Sequence, residues 1–243
     1  MLEELKATVF EANLELTKRN LIILTWGNVS GYDEVSRLVV IKPSGVDYNK
    51  LSAENMIVVD LDGNVVEGNY KPSCDTPTHI EIYKKYPELK GIVHTHSTYA
   101  TAFAQAGRPI LPYGTTHADY FHKEIICTRQ LTSDEVYSDY EKNTGKVIIE
   151  TLADKELSEN RGVLVQNHGV FAWGNSPIDA VNNAQVIEKI AEMAVLTQQI
   201  AGNVALMPLP QYVSDKHYYR KHGKDAYYGQ IVEMNDDLKK QAS

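Results

Sequence analysis

Apolar residues recur along the first third of the chain at two different spacings. Residues 2–20 place Leu, Val and Ala at intervals close to helical and end in basic residues, which suit a helix C-terminus. Three short β-rich runs follow at 24–31, 37–45 and 56–68, separated by Gly, Asp-Gly and Pro-Ser-Gly. This pattern predicts an opening helix docked on one face of a sheet, followed by antiparallel hairpins.

Helical and strand patterns alternate through the rest of the chain. The predicted elements are a helix at 76–90 that stops near Pro87, a strand at 91–96, a helix at 97–107, two strand segments around a turn within 161–174, and a long amphipathic helix at 177–201. Ser176 is expected to cap the last helix, because Ser is a preferred N-cap and Pro177 suits a first helical turn. The chain shows no repeat or linker, so we predict one domain over 1–243 with mixed α and β structure and a largely antiparallel sheet.

Composition and charge narrow the possible partners. The 243 residues are 43% hydrophobic and 23% charged, as in ordinary globular proteins. With 24 basic and 32 acidic residues the net charge is -8, and no stripe of Lys or Arg is present, so nucleic acid is not an expected partner. No apolar run approaches the roughly 18 residues of a membrane helix, and the N-terminus is acidic; we expect no membrane association and a cytoplasmic location. Cys74 and Cys127 form no CxxC motif and are expected to be free thiols.

Three histidines stand at the ends of predicted strands. His94 and His96 are two residues apart, and in an extended strand such side chains point the same way, so both could bind one ion. Taken alone, the pair could equally well cap a core strand. His168 follows another apolar strand, and three histidines are a common catalytic zinc set with a fourth position left open. Asp75 could complete the set, although alone it is better interpreted as a helix cap; such ligands suit Zn²⁺ and also Mn²⁺ or Co²⁺.

Three further segments are suited to hold an anion. They are WGNVSG at 26–31, KPSG at 42–45 and KPSCD at 71–75. Each joins a small residue, which permits close backbone approach, to a Ser or Asn side chain, and two of them carry Lys. Pro-Ser-Gly alone is usually a turn. Three such segments beside a candidate metal site indicate a phosphorylated substrate.

Two more segments carry candidate acids and bases. Asp119, within GTTHADYF at 114–121, could shuttle a proton near a metal. Its neighbour His117 could compete for that role, although a surface histidine or one satisfied within the core is the simpler interpretation. The segment 215–230 is dense in Tyr, His and Lys and has the composition of a solvated tail. Alternatively, its tyrosines could reach a site on another subunit, where a phenol serves as acid or base.

Together these motifs resemble the class II aldolase superfamily, specifically its L-ribulose-5-phosphate 4-epimerase branch. The resemblance runs in order from Met1 to Gln230, and so many separated motifs do not recur together by accident. It implies a three-layer α/β/α fold with a central, mainly antiparallel sheet. It also implies a homotetramer with active sites between subunits, in which the C-terminal tail from about 211 to 243 reaches the neighbouring subunit.

The resemblance also assigns ligands to individual residues. It implies a divalent metal, usually zinc, on Asp75, His94, His96 and His168. The family's phosphate contacts map onto Gly27, Asn28, Ser44, Gly45, Ser73 and Cys74, with Lys42 in the same neighbourhood. Cys74 is a departure, because many epimerases have a second Ser there. A thiol is a weaker donor than a hydroxyl, so we expect modestly altered phosphate affinity.

Acid and base roles follow from the same resemblance. They map onto Asp119 and Tyr228, with the tyrosine arriving from the adjacent subunit. Glu141, Thr115 and His217 match positions that support the site.

The implied reaction interconverts L-ribulose 5-phosphate and D-xylulose 5-phosphate. C4 bears no acidic hydrogen because it is β to the C2 carbonyl, so inversion requires cleavage and re-formation of the C3–C4 bond. The reaction would serve catabolism of L-arabinose, or of L-ascorbate and related sugars.

Two alternatives remain from the sequence. An L-fuculose- or rhamnulose-phosphate aldolase is the nearer one, but those relatives typically have Glu at the position of Asp75. A noncatalytic module like the adducin head domain is the more distant one, and it lacks the three histidines kept here.

Overall fold

Seven strands form one sheet in the described part of the chain, residues 2–153, 155–224 and 226–228 of a computed structural model. The strands are β1 (Asn28–Asp33), β2 (Leu38–Ile41), β3 (Ile57–Asp60), β4 (Val65–Glu67), β5 (Gly91–Thr95), β6 (Gly162–Val165) and β7 (Gly169–Gly174). The helices are α1 (Glu3–Lys18), α2 (Thr76–Lys85), α3 (Thr98–Gln105), α4 (Thr115–Ala118), α5 (Ser133–Leu152), α6 (Pro177–Ala201) and α7 (Gln211–His222).

The strand order places residues that are distant in sequence side by side. The order is β4-β3-β2-β1-β5-β7-β6, and all neighbouring pairs are antiparallel. In the register of β1 with β5, Asn28 lies opposite His94. In the register of β5 with β7, His94 lies opposite Phe171. The candidate ligands therefore collect at the same end of the three central strands.

Alternating side chains on these strands divide the interior into two faces. Val93, Leu164 and Ala172 pack in a cluster with α1, α3 and α6. Their neighbours Ile92, Val163 and Trp173 pack on the other face with α2 and α5. Helices thus cover both faces of an antiparallel sheet, which confirms the predicted α/β/α fold class.

The predicted elements before residue 108 and between 161 and 201 are confirmed, but three of the described helices are additional, the shortest being α4. Residues 133–152 form α5, for which no element was predicted. Residues 211–222 form α7, which is not a solvated tail: Ser214 Oγ donates to His122 O at 2.9 Å and Tyr218 Oη to Ser158 O at 2.9 Å. This helix buries only Ser214 and Tyr218, so its sequence carries little apolar periodicity. Of the predicted tail, residues 225 and 229–243 lie outside the described residues.

Two expectations from composition can be compared with the structure. Cys74 is exposed and Cys127 half-buried, and both are free thiols, as predicted. Among the described helices, none combines the length and apolar character required to cross a bilayer.

Candidate active site

Three imidazoles converge where β5 and β7 meet. His94 is 1% exposed, and its Nδ1–H donates to Val170 O at 2.9 Å, which leaves Nε2 unprotonated. That Nε2 lies 3.0 Å from Nε2 of His96, so the predicted shared direction of the two side chains is confirmed. With His168 they form a group whose potential ligand atoms all lie within 4.8 Å of one another.

The chemistry of this group fits a divalent metal. Burial lowers the pKa of each of the three rings, that of His168 to about 4, so all are neutral at pH 7 with lone pairs available. Because His94 Nε2 is unprotonated, its 3.0 Å contact with His96 Nε2 is favourable when either a proton on His96 Nε2 or a cation lies between the two nitrogens. The His94 ring stacks on Phe171 with centroids 4.2 Å apart, which fixes its orientation. Neutral imidazoles in this arrangement are typical ligands of zinc and neighbouring transition metals.

Asp75 lies beside the three histidines, in the loop before α2. It occupies the N-cap position of α2, yet its carboxylate makes no capping hydrogen bond. Instead Oδ2 accepts from Asn28 Nδ2 at 2.6 Å. Burial raises the pKa of this carboxyl, but the nearby His94 and His79 and the Asn28 amide outweigh burial and hold the pKa below its usual range. The helix-cap interpretation of this side chain is therefore wrong, and the carboxylate is an ionised acceptor for Asn28. Among the described residues, the group of potential metal ligands comprises the three histidines without Asp75.

A cavity of about 500 Å³ joins the histidines to the predicted anion-binding segments. Its lining comprises Thr25, Trp26, Gly27, Asn28, Lys42, Pro43, Ser44, Gly45, Ser73, Cys74, Asp75, His94, His96, Tyr140, Glu141 and His168. All seven residues predicted to contact phosphate are among them, together with Glu141. The structure thus brings together the metal-ligand and phosphate sets that the sequence distributes over 142 positions, from Gly27 to His168.

The two Pro-Ser segments are joined edge to edge. Ser44 N–H donates to Lys71 O at 2.9 Å, and Ser73 N–H donates to Lys42 O at 3.0 Å. These backbone donors are therefore used within the protein, and both serines and the residues that follow them line the cavity, where Ser73 Oγ accepts from Asn28 Nδ2 at 3.1 Å. Gly45 has φ +67°, a conformation that favours glycine, and this turns the chain away after Ser44.

Two buried polar groups in the cavity wall lack a partner among the described residues: Lys42 has no counter-ion, and Asn28 Oδ1 has no hydrogen-bond donor. Lys42 is 2% exposed, and its Nζ donates to Pro43 O at 3.3 Å and lies 4.8 Å from the centre of the Tyr48 ring, without an ion pair among the described residues. Burial lowers its pKa. Asn28 Oδ1 is buried and has no hydrogen-bond partner within the described structure. A buried ammonium and an open acceptor suit a ligand that carries both an anionic group and hydroxyls.

Asp119 lies in a second group, outside the lining of this cavity. Its Oδ1 accepts from His217 Nδ1 at 3.0 Å and from Arg220 Nη2 at 2.8 Å, and Oδ2 lies 3.3 Å from Lys221 Nζ. Burial raises the pKa of Asp119, but Arg220, His217 and Lys221 outweigh burial and hold the pKa below its usual range. The carboxylate is therefore ionised and held against α7.

Tyr228 belongs to this second group. Its side chain is 61% exposed, with Lys221 Nζ 4.4 Å and the Arg220 guanidinium 5.1 Å from its ring centre. Thr115, exposed at the start of α4, is on the helix that ends beside Asp119. The predicted site residues of one chain therefore form two groups, a cavity with the histidines and a half-buried cluster around Asp119 with Tyr228 exposed at its edge.

Comparison with known proteins places this arrangement in a family. A family model described as "Class II Aldolase and Adducin N-terminal domain" matches residues 7–195. The chain belongs to this class II aldolase family. Among its curated relatives, proteins named L-ribulose-5-phosphate 4-epimerase UlaF, from Salmonella paratyphi C (strain RKS4594) and Salmonella choleraesuis (strain SC-B67), are each 54% identical over 229 residues, which is 94% of this chain and 100% of the relative.

Solved structures of class II aldolase relatives share the fold. A protein titled L-fuculose 1-phosphate aldolase has a TM-score of 0.75 at 25% identity, covering 89% of this chain and 95% of its own. The L-fuculose 1-phosphate aldolase from Glaciozyma antarctica PI12 has a TM-score of 0.73 at 20% identity, covering 92% and 84%.

Sequence reasoning missed several side chains of this class II aldolase site. Tyr140 lies 3.2 Å from His168 through its Oη, and Trp26 lies near His96, with ring centroids 6.1 Å apart. Arg220 and Lys221, which hold Asp119, were part of a segment interpreted only by its composition. Trp26 lies within the segment 26–31, and Arg220 and Lys221 lie within 215–230, so their proximity to predicted site residues was a usable signal. Tyr140 had no such signal, because α5 itself was not predicted.

Proposed function

We propose that this class II aldolase family member is a metal-dependent L-ribulose-5-phosphate 4-epimerase. The observation that carries the proposal is the single cavity in which three neutral histidines face a buried lysine and two Ser-containing loops. A sugar phosphate has the matching parts, a polyol and ketone for one end and a phosphate for the other. Near full-length relatives at 54% identity carry this enzyme name.

The reaction requires a broken carbon–carbon bond. The C4 hydrogen of ribulose 5-phosphate is not acidic, so loss of the C4 hydroxyl proton with cleavage of C3–C4 is the accessible route. It leaves dihydroxyacetone enediolate and glycolaldehyde phosphate, and re-addition to the opposite face of the aldehyde gives D-xylulose 5-phosphate. A divalent metal on His94, His96 and His168, with Asp75 beside them, supplies a Lewis acid when bound; zinc is our first choice and Mn²⁺ or Co²⁺ the alternatives.

The phosphate loops hold the fragment that rotates. Lys42 offers a buried positive charge, and the side chains of Ser44, Ser73 and Cys74 line the same cavity. The aldehyde can present its other face only if its phosphate stays bound, because a released fragment makes the enzyme an aldolase. Asn28, with its open Oδ1, accepts from a substrate hydroxyl at the other end of these loops.

Asp119 and Tyr228 are proposed as the two groups that take and return the C4 hydroxyl proton. One must act on each epimer, so they face the aldehyde from opposite sides. Neither lines the cavity of its own chain, and Tyr228 is exposed. We therefore propose a homotetramer in which both residues, with Thr115 and His217 nearby, are supplied by the adjacent subunit. This extends the sequence-based expectation, in which only the tyrosine came from the neighbour.

Incubation of zinc-loaded protein with L-ribulose 5-phosphate tests the proposal. D-xylulose 5-phosphate and free glycolaldehyde phosphate are followed together, with a chelated sample beside them. We expect metal-dependent xylulose 5-phosphate with little free aldehyde. Aldehyde as the main product would instead indicate an aldolase, and inertness with metal verified at the site would overturn the proposal.

A further inference from the structure

His168 is anchored by the phenol of Tyr140. Tyr140 Oη lies 3.2 Å from His168 Nδ1, and the two rings stack with centroids 5.9 Å apart and 29° between their planes. His94 has a comparable anchor, since its Nδ1 lies 2.9 Å from Val170 O. Because a carbonyl oxygen only accepts, His94 Nδ1 carries the proton and Nε2 is left for a ligand bond; a phenol oxygen that accepts from His168 Nδ1 would leave its Nε2 in the same state.

The chain interrupts a helix to place this tyrosine. Within α5, Asp139 has φ -160° and ψ 80°, so the helix breaks there and Tyr140 begins a second segment at the cavity wall. Asn143 Nδ2 donates to Glu135 O at 2.9 Å and to Ser138 Oγ at 3.0 Å, which binds the first segment to the second.

Contacts outside the helix fix the break further. Thr78 Oγ1, on α2, donates to Glu141 O at 2.6 Å and secures the start of the second segment. The Arg129 guanidinium lies 2.8 Å from carboxylate oxygens of both Glu135 and Glu150, one on each segment. The position of Tyr140 is therefore determined on both sides of the interruption.

We propose that Tyr140 is a positioning residue that fixes the tautomer and ring orientation of His168 for metal binding. His168 Nδ1–H donates to the phenol oxygen, so the Nε2 lone pair is directed into the histidine group. Partners of this kind raise ligand basicity and remove the cost of orienting the ring. The inference rests on the proposed metal-dependent function, but it concerns the ligand set and not the reaction.

Tyr140→Phe tests this role because it keeps the stacked ring and removes the acceptor. Metal-free protein is titrated with Zn²⁺ in competition with a chromophoric chelator. We expect the variant to bind zinc about 10–100-fold more weakly than the wild type. Tyr137→Phe is the matched control on the same helix: Tyr137 is 87% exposed, and its variant should bind zinc as the wild type does. Urea midpoints of the metal-free proteins verify that both variants fold.

Two further measurements separate positioning from a general structural effect. In ¹⁵N NMR of the metal-free protein, His168 should be the Nδ1–H tautomer in the wild type and a mixture in Tyr140→Phe. In a His168→Ala background, Tyr140→Phe should change zinc affinity no further, since its effect passes through that ring. Unchanged zinc affinity in Tyr140→Phe, or an equal loss in the His168→Ala background, would overturn the inference.

Failure of the inference about Tyr140 can be distinguished from failure of the proposed epimerase function. Zinc binding weakened by Tyr140→Phe in a protein without epimerase activity would reject the function and leave this role standing. Epimerase activity together with undiminished zinc binding in Tyr140→Phe would support the proposed function and reject the positioning role of Tyr140.

Discussion

Cys74 is the residue at which the chain departs from the motif it otherwise follows. Cys74 lines the cavity beside Ser73 with part of the residue exposed. Partial desolvation of the thiol, followed by the charges of Asp75 and Glu141, raises its pKa, so it stays protonated at neutral pH. A neutral thiol is a weak donor to phosphate. Since a hydrogen bond contributes about 0.5–1.5 kcal/mol, we expect Cys74→Ser to lower KM for the sugar phosphate about 2–10-fold with little change in kcat.

Steady-state kinetics of Cys74→Ser and Cys127→Ser check this prediction together. Cys127 is half-buried outside the cavity lining, and burial raises its pKa to about 11, so its replacement leaves the phosphate contacts intact. KM should fall in the first variant alone. An equal shift in both variants would show that the thiol's position in the cavity is irrelevant.

At the residue scale, local spacing predicted the direction of side chains within a strand, but it did not predict their contacts with distant segments. The shared direction of His94 and His96 follows from strand geometry alone and is confirmed. Asp75 looked like a helix cap because capping is the commonest local use of Asp before a helix, whereas the carboxylate bonds to Asn28. That pairing depends on the tertiary contact between β1 and the loop before α2, which the sequence of either segment does not contain.

At the element scale, the carboxylate of Glu188 on α6 caps the N-terminus of α3. Its two carboxylate oxygens accept from Tyr99 N–H and Ala100 N–H, each at 2.9 Å. Ser97, at the N-cap of α3, makes no capping bond, so Glu188 serves the first turn just after His96. We expect Glu188→Ala to reduce the free energy of unfolding by about 1–2 kcal/mol.

Urea unfolding at fixed protein concentration measures this loss. Glu192→Ala is the matched control, four residues along α6, where the carboxylate pairs with Lys189 on the surface. Surface pairs contribute about 0–1 kcal/mol, so its midpoint should move less. If Glu192→Ala is at least as destabilising as Glu188→Ala, the hydrogen bonds from the first turn of α3 to Glu188 contribute no more to stability than a surface ion pair does.

The strands and α6 were predictable as elements because their patterns are self-contained, whereas α5 was not. Gly145 lowers the helix propensity of this segment, but a Cβ there would lie 2.8 Å from Glu81 Cβ and 3.0 Å from Thr78 O. The glycine therefore permits α5 to approach α2 closely. The interruption at Asp139 likewise depends on side chains from other segments. Tertiary contacts select both features against local propensity.

At the scale of the whole molecule, buried neutral histidines make stability depend on pH. Burial lowers the pKa of His117 to about 4 and that of His79 to about 3, whereas an unfolded histidine titrates near 6.5. The unfolded chain therefore binds more protons below pH 6.5, so stability is full above that pH and falls as pH decreases toward 4. We expect the urea midpoint of metal-free protein to fall between pH 7 and pH 5.

Replacing His117 with a residue that does not titrate isolates its contribution to the pH dependence of stability. His117 Nε2 donates to Lys123 O at 2.7 Å, and Gln keeps an N–H donor. In His117→Gln the decline of the midpoint from pH 7 to pH 5 should be shallower than in the wild type, whatever its absolute stability. Parallel declines would contradict the assignment of this pH dependence to His117.

The division of the site into two groups predicts how whole subunits complement one another. His96→Asn removes a proposed metal ligand, and Asp119→Asn removes the proposed proton acceptor and should leave metal binding and assembly intact, so each variant alone should lose most turnover. If each site takes its histidines from one subunit and Asp119 from the next, co-assembly from equal amounts should restore about a quarter of wild-type activity, because half the chains supply each intact part. If one chain supplies both parts, no site in the mixture is complete.

A second mixture decides whether Asp119 and Tyr228 arrive together. Both lie against Arg220 and Lys221 of one chain, so the same neighbour should deliver them. Tyr228→Phe should lose most turnover, and co-assembly of Asp119→Asn with Tyr228→Phe should restore none, because every neighbour lacks one member of the pair. Recovery to about a quarter of wild-type activity would instead mean that the two residues reach a site from different subunits. The two mixtures, measured on oligomers with verified zinc content, thus distinguish a shared site from a self-contained one and locate both proton carriers on one subunit.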